Sequence, residues 1–313
     1  MGIQGLNRFL RTNCQDVIKQ ICLWELKGKT IAVDASIYMY RFQGEGGLID
    51  GIFQMISLMK HNNITPIFVF DGKPPAEKQE LLQKRREEKA EAENQYKIIQ
   101  EKLKTCDEDD IADLESEADT LRKQFIRLTQ EDIDNVKHLL ELMGVQYYEC
   151  EGESDCVCAK MVQKRIAYAC LSEDMDMFVY GCPRVLRYLS LLKANVVLYD
   201  LAGILNKLCI SFADFQDICI LSGTDYNLAA DSNIELYRAL KLFARYRKRG
   251  VKEGYHKWII ENSYISDIEC YNNTKEMFNI TGLQLNKHNL VQTESDENEM
   301  QNFLLNYGFV FAY

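Results

Sequence analysis

Ile67-Phe68-Val69-Phe70-Asp71-Gly72-Lys73-Pro74-Pro75 is the stretch that decides the fold. Four apolar, β-favouring residues make a run too short for a helix, and an acidic residue followed by glycine stops it. The proline pair then presets a first helical turn. The same grammar recurs along the chain. Thr30-Ile31-Ala32-Val33 is closed by Asp34, and Gln146-Tyr147-Tyr148 precedes Glu153 and Asp155. Ala167 to Leu171 precedes Asp174 and Asp176, and Val196 to Tyr199 is a fifth strand candidate. Helical patterns separate several of these runs. They predict an α/β chain with a mostly parallel central sheet flanked by helices. Leu6, Phe9 and Leu10, at helical spacing, predict a short opening helix.

Ligands of open α/β sheets bind beyond the carboxyl ends of the strands. Asp34, Asp71, Glu153, Asp155, Asp174, Asp176 and, after a later apolar run, Asp225 all fall at such ends. Turn and cap preferences account for any one of them. They account poorly for Glu153/Asp155 and Asp174/Asp176, where two carboxylates crowd one short segment at a cost in repulsion and lost hydration. A pair of divalent cations is the natural collector, and phosphodiester hydrolysis is the usual work of such a pair.

The 313 residues, 47% hydrophobic and 27% charged, suit a globular chain with a sizeable core. The net charge of −10 argues at first against a nucleic-acid partner, but without the seven clustered carboxylates it is near −3. Local basic patches are therefore expected rather than a basic surface. Eleven cysteines without framework spacing, and no signal peptide, predict reduced thiols in an intracellular compartment. Cys150, Cys156 and Cys158 flank two of the carboxylates; no second Cys/His pair at finger spacing follows, so buried thiols are expected rather than zinc. No apolar run approaches the roughly 20 residues of a membrane span.

Between Lys73 and Lys104 lie nine Lys/Arg and seven Glu, with no glycine or proline after Pro75. Glu80–Lys84 and Glu93–Lys97 are spaced as favourable i,i+4 pairs. A long, exposed, charge-laced helix is predicted, then an acidic turn from Cys106 to Asp110 and a returning helix from Ile111 to Arg127. A solvated arm would look the same. However, Lys78, Arg85 and Lys89 share one helical face, which suits a phosphate backbone beside an acidic metal site. Ile234 to Arg249 is expected to be helical and basic, with Arg245, Arg247, Lys248 and Arg249 at its end; a solvated helix terminus is the plainer reading. The stretch near Asn262 to Asn289 reads as polar and irregular. Glu297 to Leu305 reads as a last helix packed through Met300, Phe303 and Leu304.

Several segments resemble the flap endonucleases of the structure-specific, XPG-like 5′-nuclease superfamily. They are Met1-Gly-Ile-Gln-Gly-Leu6, Val33-Asp-Ala-Ser36, Val69-Phe-Asp-Gly-Lys-Pro-Pro75, Lys137-His-Leu-Leu140 with Leu142-Met-Gly144, Glu153-Ser-Asp155, Glu173-Asp-Met-Asp176 and Ile220-Leu-Ser-Gly-Thr-Asp-Tyr226. The resemblance implies a PIN-like 5′-nuclease fold: a nuclease core over residues 1–226 carrying a helical arch at about 73–128, then a helical DNA-binding region over 227–313. It implies that Asp34, Asp71, Glu153 and Asp155 hold one metal, and that Asp174, Asp176 and Asp225 complete a second. All-oxygen ligation favours two Mg²⁺ ions, with Mn²⁺ able to substitute. It further implies that Lys78 and Arg85 reach the scissile phosphate, that a base stacks on Tyr40 as the nucleotide unpairs, and that Gly2, after loss of Met1, lies near the DNA. The implied substrate is DNA with a 5′ flap or a free 5′ end, and the implied product carries a 5′-phosphate.

Three departures from the family pattern qualify these expectations. The segment between Asp34 and Asp71 is short, with Gly44 to Gly47 and a single helix where relatives carry a wedge and a 3′-flap pocket. The glycine-rich hairpin expected after Asp225 is missing from Leu228 to Leu236, so the helix-two-turn-helix is altered and duplex binding falls to Arg245 to Arg249. The chain ends at Tyr313 without a clamp-binding motif, so a sliding-clamp partner is not expected. The pattern fits a divergent member, with a virus as one candidate source. A monomer is expected, in the nucleus or at a cytoplasmic viral replication site. The leading expectation is a Mg²⁺-dependent 5′ flap endonuclease with 5′-exonuclease activity in replication, repair or recombination. A 5′ exonuclease or a bubble- or junction-cutting relative is the alternative within the superfamily, and a non-catalytic DNA-binding scaffold the alternative outside it.

Overall fold

The computed structural model describes residues 2–103, 111–227, 234–250, 253–265, 267–292 and 294–310. In chain order, α1 (Leu6–Asn13) and β1 (Ile18–Cys22) precede the first β–α unit, β2 (Thr30–Asp34) with α2 (Ala35–Gly44) and α3 (Leu48–His61). Next come β3 (Thr65–Phe70), the long α4 (Gln79–Leu103), α5 (Ile111–Arg122) and α6 (Gln130–Leu142). The second half brings β4 (Tyr147–Glu149), α7 (Ser154–Gln163), β5 (Ala169–Leu171), β6 (Arg184–Ser190), β7 (Asn195–Asp200), α8 (Leu201–Leu208) and α9 (Phe212–Leu221). It closes with α10 (Leu236–Arg249), α11 (Tyr255–Glu261), α12 (Ile268–Met277), β8 (Leu290–Val291) and α13 (Glu297–Leu305).

The strands form one sheet in the order β1-β7-β6-β5-β2-β3-β4-β8. Its centre, from β6 through β4, is parallel; β7, β1 and β8 add antiparallel edges. Side chains of a strand alternate between faces, and two cores follow from that. Ala32, Ile67, Val69 and Cys170 enter the core under α1, α7 and α9. Ile31, Val33, Phe68, Phe70 and Leu171 enter the other, under α2, α3, α6 and α13. The central strands are buried on both faces, which is why they read as unbroken apolar runs. Chain order runs from β2 outward to β3 and β4 on one side and returns to β5 and β6 on the other. The carboxyl end of β2 therefore lies at the topological switch point, the place where ligands of open α/β sheets bind.

The arch is a hairpin of α4 and α5, with a small core of its own: Ala92 and Ile99 against Ala118 and Leu121. A 3₁₀ turn over Ala76–Lys78 follows Pro75 and leads into α4. The expected Glu93–Lys97 ion pair is made at 3.0 Å, and Arg127 adds to Glu93 at 2.8 Å. The acidic turn from Cys106 to Asp110 lies outside the described residues, as does most of the altered hairpin from Leu228 to Leu236.

Four expectations need correction. The returning helix stops at Arg122, not Arg127, and a separate helix, α6, starts at Gln130 behind a capping box of Thr129 and Asp132. Two helices, α2 and α3, fill the span from Asp34 to Asp71 rather than one. The stretch near Asn262 to Asn289 is not irregular throughout: it holds α12, capped by Asp267. Its buried side is polar-aromatic, with the Tyr271 hydroxyl donating to Asp217 at 2.8 Å and Lys275 paired to the same carboxylate, so an apolar count missed it. Finally, β1, β6 and β8 were not anticipated. The first two carry Lys or Arg inside the run, and β8 has two residues.

Candidate metal centre and nucleic-acid interface

Asp34 is the last residue of β2 and Asp71 follows β3 directly, so adjacent parallel strands deliver both to the same end of the sheet. Glu153 is the N-cap of α7 and Asp155 lies in its first turn. That helix start faces Asp71: the Ser154 amide donates to Asp71 Oδ1 at 2.7 Å, a favourable use of a helix N-terminus. Backbone bonds from Gly72 and Lys73 to the Gly152 and Glu151 carbonyls lace the two segments together. A Cβ on Gly72 would collide with the Cys150 carbonyl, so only glycine permits the approach. Asp174 and Asp176 occupy the turn after β5, where the Asp176 amide donates to Asp174 Oδ1 at 2.9 Å. Asp225 lies in the turn after α9, which Asn227 holds by accepting from the Thr224 amide and hydroxyl.

Hydroxyls support this set. Ser36 donates to Asp71 Oδ2 at 2.5 Å, and Ser172 to Asp34 Oδ2 at 2.9 Å. Arg187, buried, donates to the Glu173 carbonyl and the Asn7 side chain, fixing the Glu173–Asp176 turn against α1. Ser36 and Ser154 lie inside the motifs Val33 to Ser36 and Glu153 to Asp155, whereas Ser172 and Arg187 carry no signal that spacing alone exposes. Gly2 is placed against Asp174 and Asp176 with φ of 72°, and any Cβ there would collide with their carboxylate oxygens.

Burial drives the electrostatics. Asp34 is pushed up to about 7, first by burial and then by Asp71 and Asp174. Asp155 and Asp176 are raised well above the ordinary carboxylate range, again by burial first and then by neighbouring aspartates. Asp174 is raised by burial and by Asp225. Asp176 has both oxygens buried without a hydrogen-bond partner, and Asp155 has one. Buried carboxylate oxygens left without donors fit cations, the one class of partner that relieves desolvation and mutual repulsion together. Among the described residues no three acidic, thiol or imidazole groups close a cage around one point.

Two cations from the arch base meet the carboxylates. Lys78 Nζ lies 2.5 Å from Glu153 Oε1 and 3.9 Å from Asp225 Oδ2, and Arg85 Nη2 lies 3.0 Å from the same Asp225 oxygen. Burial works against the Lys78 charge, but Glu153, Asp155 and Asp225 outweigh it and hold the lysine above its ordinary value. The expected common helical face of Lys78, Arg85 and Lys89 is not realised, because Lys78 lies in the 3₁₀ turn before α4; Lys89, on α4 with Arg85, donates to the Ile126 carbonyl at 2.9 Å and sits 4.9 Å from the centre of the Tyr40 ring. Tyr40 is 42% exposed and opens onto a cleft of about 470 Å³ shared with Arg41, Lys89 and Lys123. Arg245, Arg247, Lys248 and Arg249 are exposed on α10. Arg247 donates to the Cys209 carbonyl at 3.3 Å, and Arg249 lies 5.8 Å from the Trp258 ring centre, so this basic end is apart from the carboxylate cluster. Cys150 and Cys158 are buried free thiols and Cys156 is partly buried.

Residues 1–92 match the XPG N-terminal domain and residues 144–225 the XPG I-region. Flap endonuclease 1 of Methanococcus aeolicus is 33% identical over 276 residues, spanning 83% of this chain and 78% of that protein. The human flap endonuclease 1 is 34% identical over 244 residues, spanning 72% of this chain but only 62% of its own length. Among solved structures, the Methanococcus jannaschii flap endonuclease-1 superposes with a TM-score of 0.64 at 29% identity, covering 98% of this chain and 93% of that one. The catalytic core of Rad2 in complex with DNA substrate superposes with a TM-score of 0.69 at 20% identity, covering 98% and 96%, a likeness of fold. Motif order, the sheet topology and these likenesses agree: the chain belongs to the XPG-like superfamily of structure-specific 5′ nucleases.

Proposed function

We propose that this protein is a divalent-metal-dependent 5′ flap endonuclease with 5′-exonuclease activity, cutting DNA where a duplex meets an unpaired 5′ strand in replication, repair or recombination. The observation that carries this reading is the meeting of seven carboxylates, drawn from five separate stretches of chain, with Lys78 and Arg85 of the arch base. Asp34, Asp71, Glu153 and Asp155 would hold one ion and Asp174, Asp176 and Asp225 the other, Mg²⁺ by preference for oxygen donors and Mn²⁺ as a substitute. Bound there, the ions supply an activated water and relieve charge on the leaving oxygen.

The chain's own part follows from its cations and its aromatic ring. Lys78 and Arg85 neutralise Glu153 and Asp225 in the protein alone. An entering phosphate competes for them, so both are poised to turn toward the developing charge of the transition state. The exposed ring of Tyr40 offers a stacking surface to a base leaving the duplex once Lys89 moves aside. The basic end of α10 offers backbone contacts to the duplex.

One feature favours an alternative within the superfamily, an exonuclease or a bubble- or junction-cutting enzyme. Only Glu45 to Gly47 join α2 to α3, a short connection where the resemblance implies a wedge and a 3′-flap pocket. Cleavage of an end-labelled double-flap DNA in Mg²⁺, with Asp174→Ala as control, tests both. A cut at the flap junction, absent in the variant, supports the endonuclease. Stepwise loss of 5′ nucleotides with flaps ignored supports the exonuclease. Binding without cleavage that depends on Asp174 overturns the catalytic reading in favour of a scaffold.

A further inference from the structure

Glu153 is gripped on its second oxygen by a side chain that the proposed chemistry does not use. Lys78 takes Oε1 at 2.5 Å, and the Tyr226 hydroxyl donates to Oε2. The Tyr226 oxygen is in turn hydrogen-bonded to the Tyr180 hydroxyl. The direction of this chain is fixed by proton count. A carboxylate has nothing to donate, so the single Tyr226 proton points to Glu153, and Tyr180 must donate to Tyr226. Both tyrosines are buried, and a chain of hydrogen bonds in such surroundings strengthens its last member.

The rings are set by packing rather than by the hydroxyls. Phe278 lies 4.8 Å from Tyr180 and 5.1 Å from Tyr226, centre to centre. The Lys78 ammonium sits 4.8 Å from the centre of the Tyr226 ring, so the tyrosine also cradles the arch lysine. Tyr226 directly follows Asp225, in a turn closed by its own amide on Thr224 Oγ1 at 3.2 Å. One short turn therefore carries the Asp225 carboxylate and the hydroxyl that holds Glu153.

We propose that Tyr226, braced by Tyr180, is a positioning residue that fixes Glu153 for divalent-ion binding and ties it to Asp225. The inference rests on the reading of these carboxylates as metal ligands. Calorimetric titration of the DNA-free, full-length protein with Mn²⁺ tests it, comparing the wild type with Tyr226→Phe and Tyr180→Phe. Phenylalanine keeps the packing on Phe278 and removes only the hydroxyl. Tyr226→Phe should weaken Mn²⁺ binding about tenfold, the effect of losing one hydrogen bond to a charged group. Tyr180→Phe should weaken it in the same direction by about threefold, because it removes the brace and leaves the last bond. The Mg²⁺ concentration giving half-maximal cleavage should rise in the same order. Isotherms that superimpose on a wild type that does bind Mn²⁺ overturn the relay alone. A wild type that binds no Mn²⁺ overturns the metal-centre reading and the relay with it. Should Tyr226→Phe fail to fold, Tyr180→Phe decides the matter by the same comparison.

Discussion

At the scale of single residues, the centre is a set of charges that the fold makes expensive. Asp34, Asp155, Asp174 and Asp176 all have their protonated forms favoured by burial and by one another. Their pH linkage follows. Between the ordinary carboxylate range and about 7, the value Asp34 reaches, the folded protein keeps protons that the unfolded chain has released. The unfolded state then binds fewer protons, and stability falls as pH rises through that window. Thermal melting in EDTA should therefore show a declining midpoint from pH 5 to pH 8. Mn²⁺ should raise the midpoint more at pH 8 than at pH 5, because at the lower pH it must displace protons. A flat profile without metal would contradict the burial argument. Arg85 makes a different prediction. It is partly exposed and touches one carboxylate, so Arg85→Ala should leave the fold intact and lower single-turnover cleavage by about a hundredfold, the usual cost of one transition-state donor. A loss confined to DNA affinity would remove it from the chemical step.

At the scale of elements, the arch depends on very few side chains. Its hairpin is held by Ala92, Ile99, Ala118 and Leu121, with Tyr96 packed on Phe125 at 5.3 Å between ring centres. Ile99→Ala should cost about 2–4 kcal/mol locally, and because this core is separate from the two sheet cores, the loss should open the hairpin without unfolding the rest. Faster amide exchange confined to α4 and α5, with an unchanged global melting midpoint, is the expected result; a cooperative drop of the whole melting curve would show the arch core to be continuous with the sheet cores. Much of this architecture was legible in the sequence. β2 and β3 announce themselves because both faces are buried, and α4 because neither glycine nor proline interrupts its charge pairs. The carboxylates stood out because grouping them has no cheap structural explanation. The break between Arg122 and Gln130 was also written, in the Thr129/Asp132 capping box, but the charge pattern running across it was more conspicuous. β6 was illegible for a physical reason: Arg187 is spent inside the protein on Glu173 and Asn7, which makes a buried strand look polar. The hydroxyl chain from Tyr180 through Tyr226 to Glu153 could not be read at all, since 46 positions separate the first two partners and 73 the last two, and only the fold closes those gaps.

At the scale of the whole molecule, a chain with 47 acidic and 37 basic residues must still hold a polyanion. The acidic excess is concentrated where metal ions would offset it, while exposed cations gather at the arch and at the end of α10. The two regions should then contribute differently to DNA binding. Lys78 and Arg85 are committed to carboxylates in the free protein, so their exchange onto phosphate brings little net counterion release. Arg245 and Lys248 are three residues apart on one exposed face of α10 and free of that competition from the carboxylate cluster. If α10 follows the duplex backbone, Arg245→Ala with Lys248→Ala should flatten the dependence of log affinity on log salt by about two units and raise KM for flap DNA. Fluorescence anisotropy with a flapped duplex, from low to moderate salt in Ca²⁺ to prevent cleavage, measures the slope directly. An unchanged slope with reduced affinity would mean that these residues act through the packing of α10 on α9 rather than on phosphate, and an effect on kcat alone would place their action at the carboxylate centre instead of the duplex.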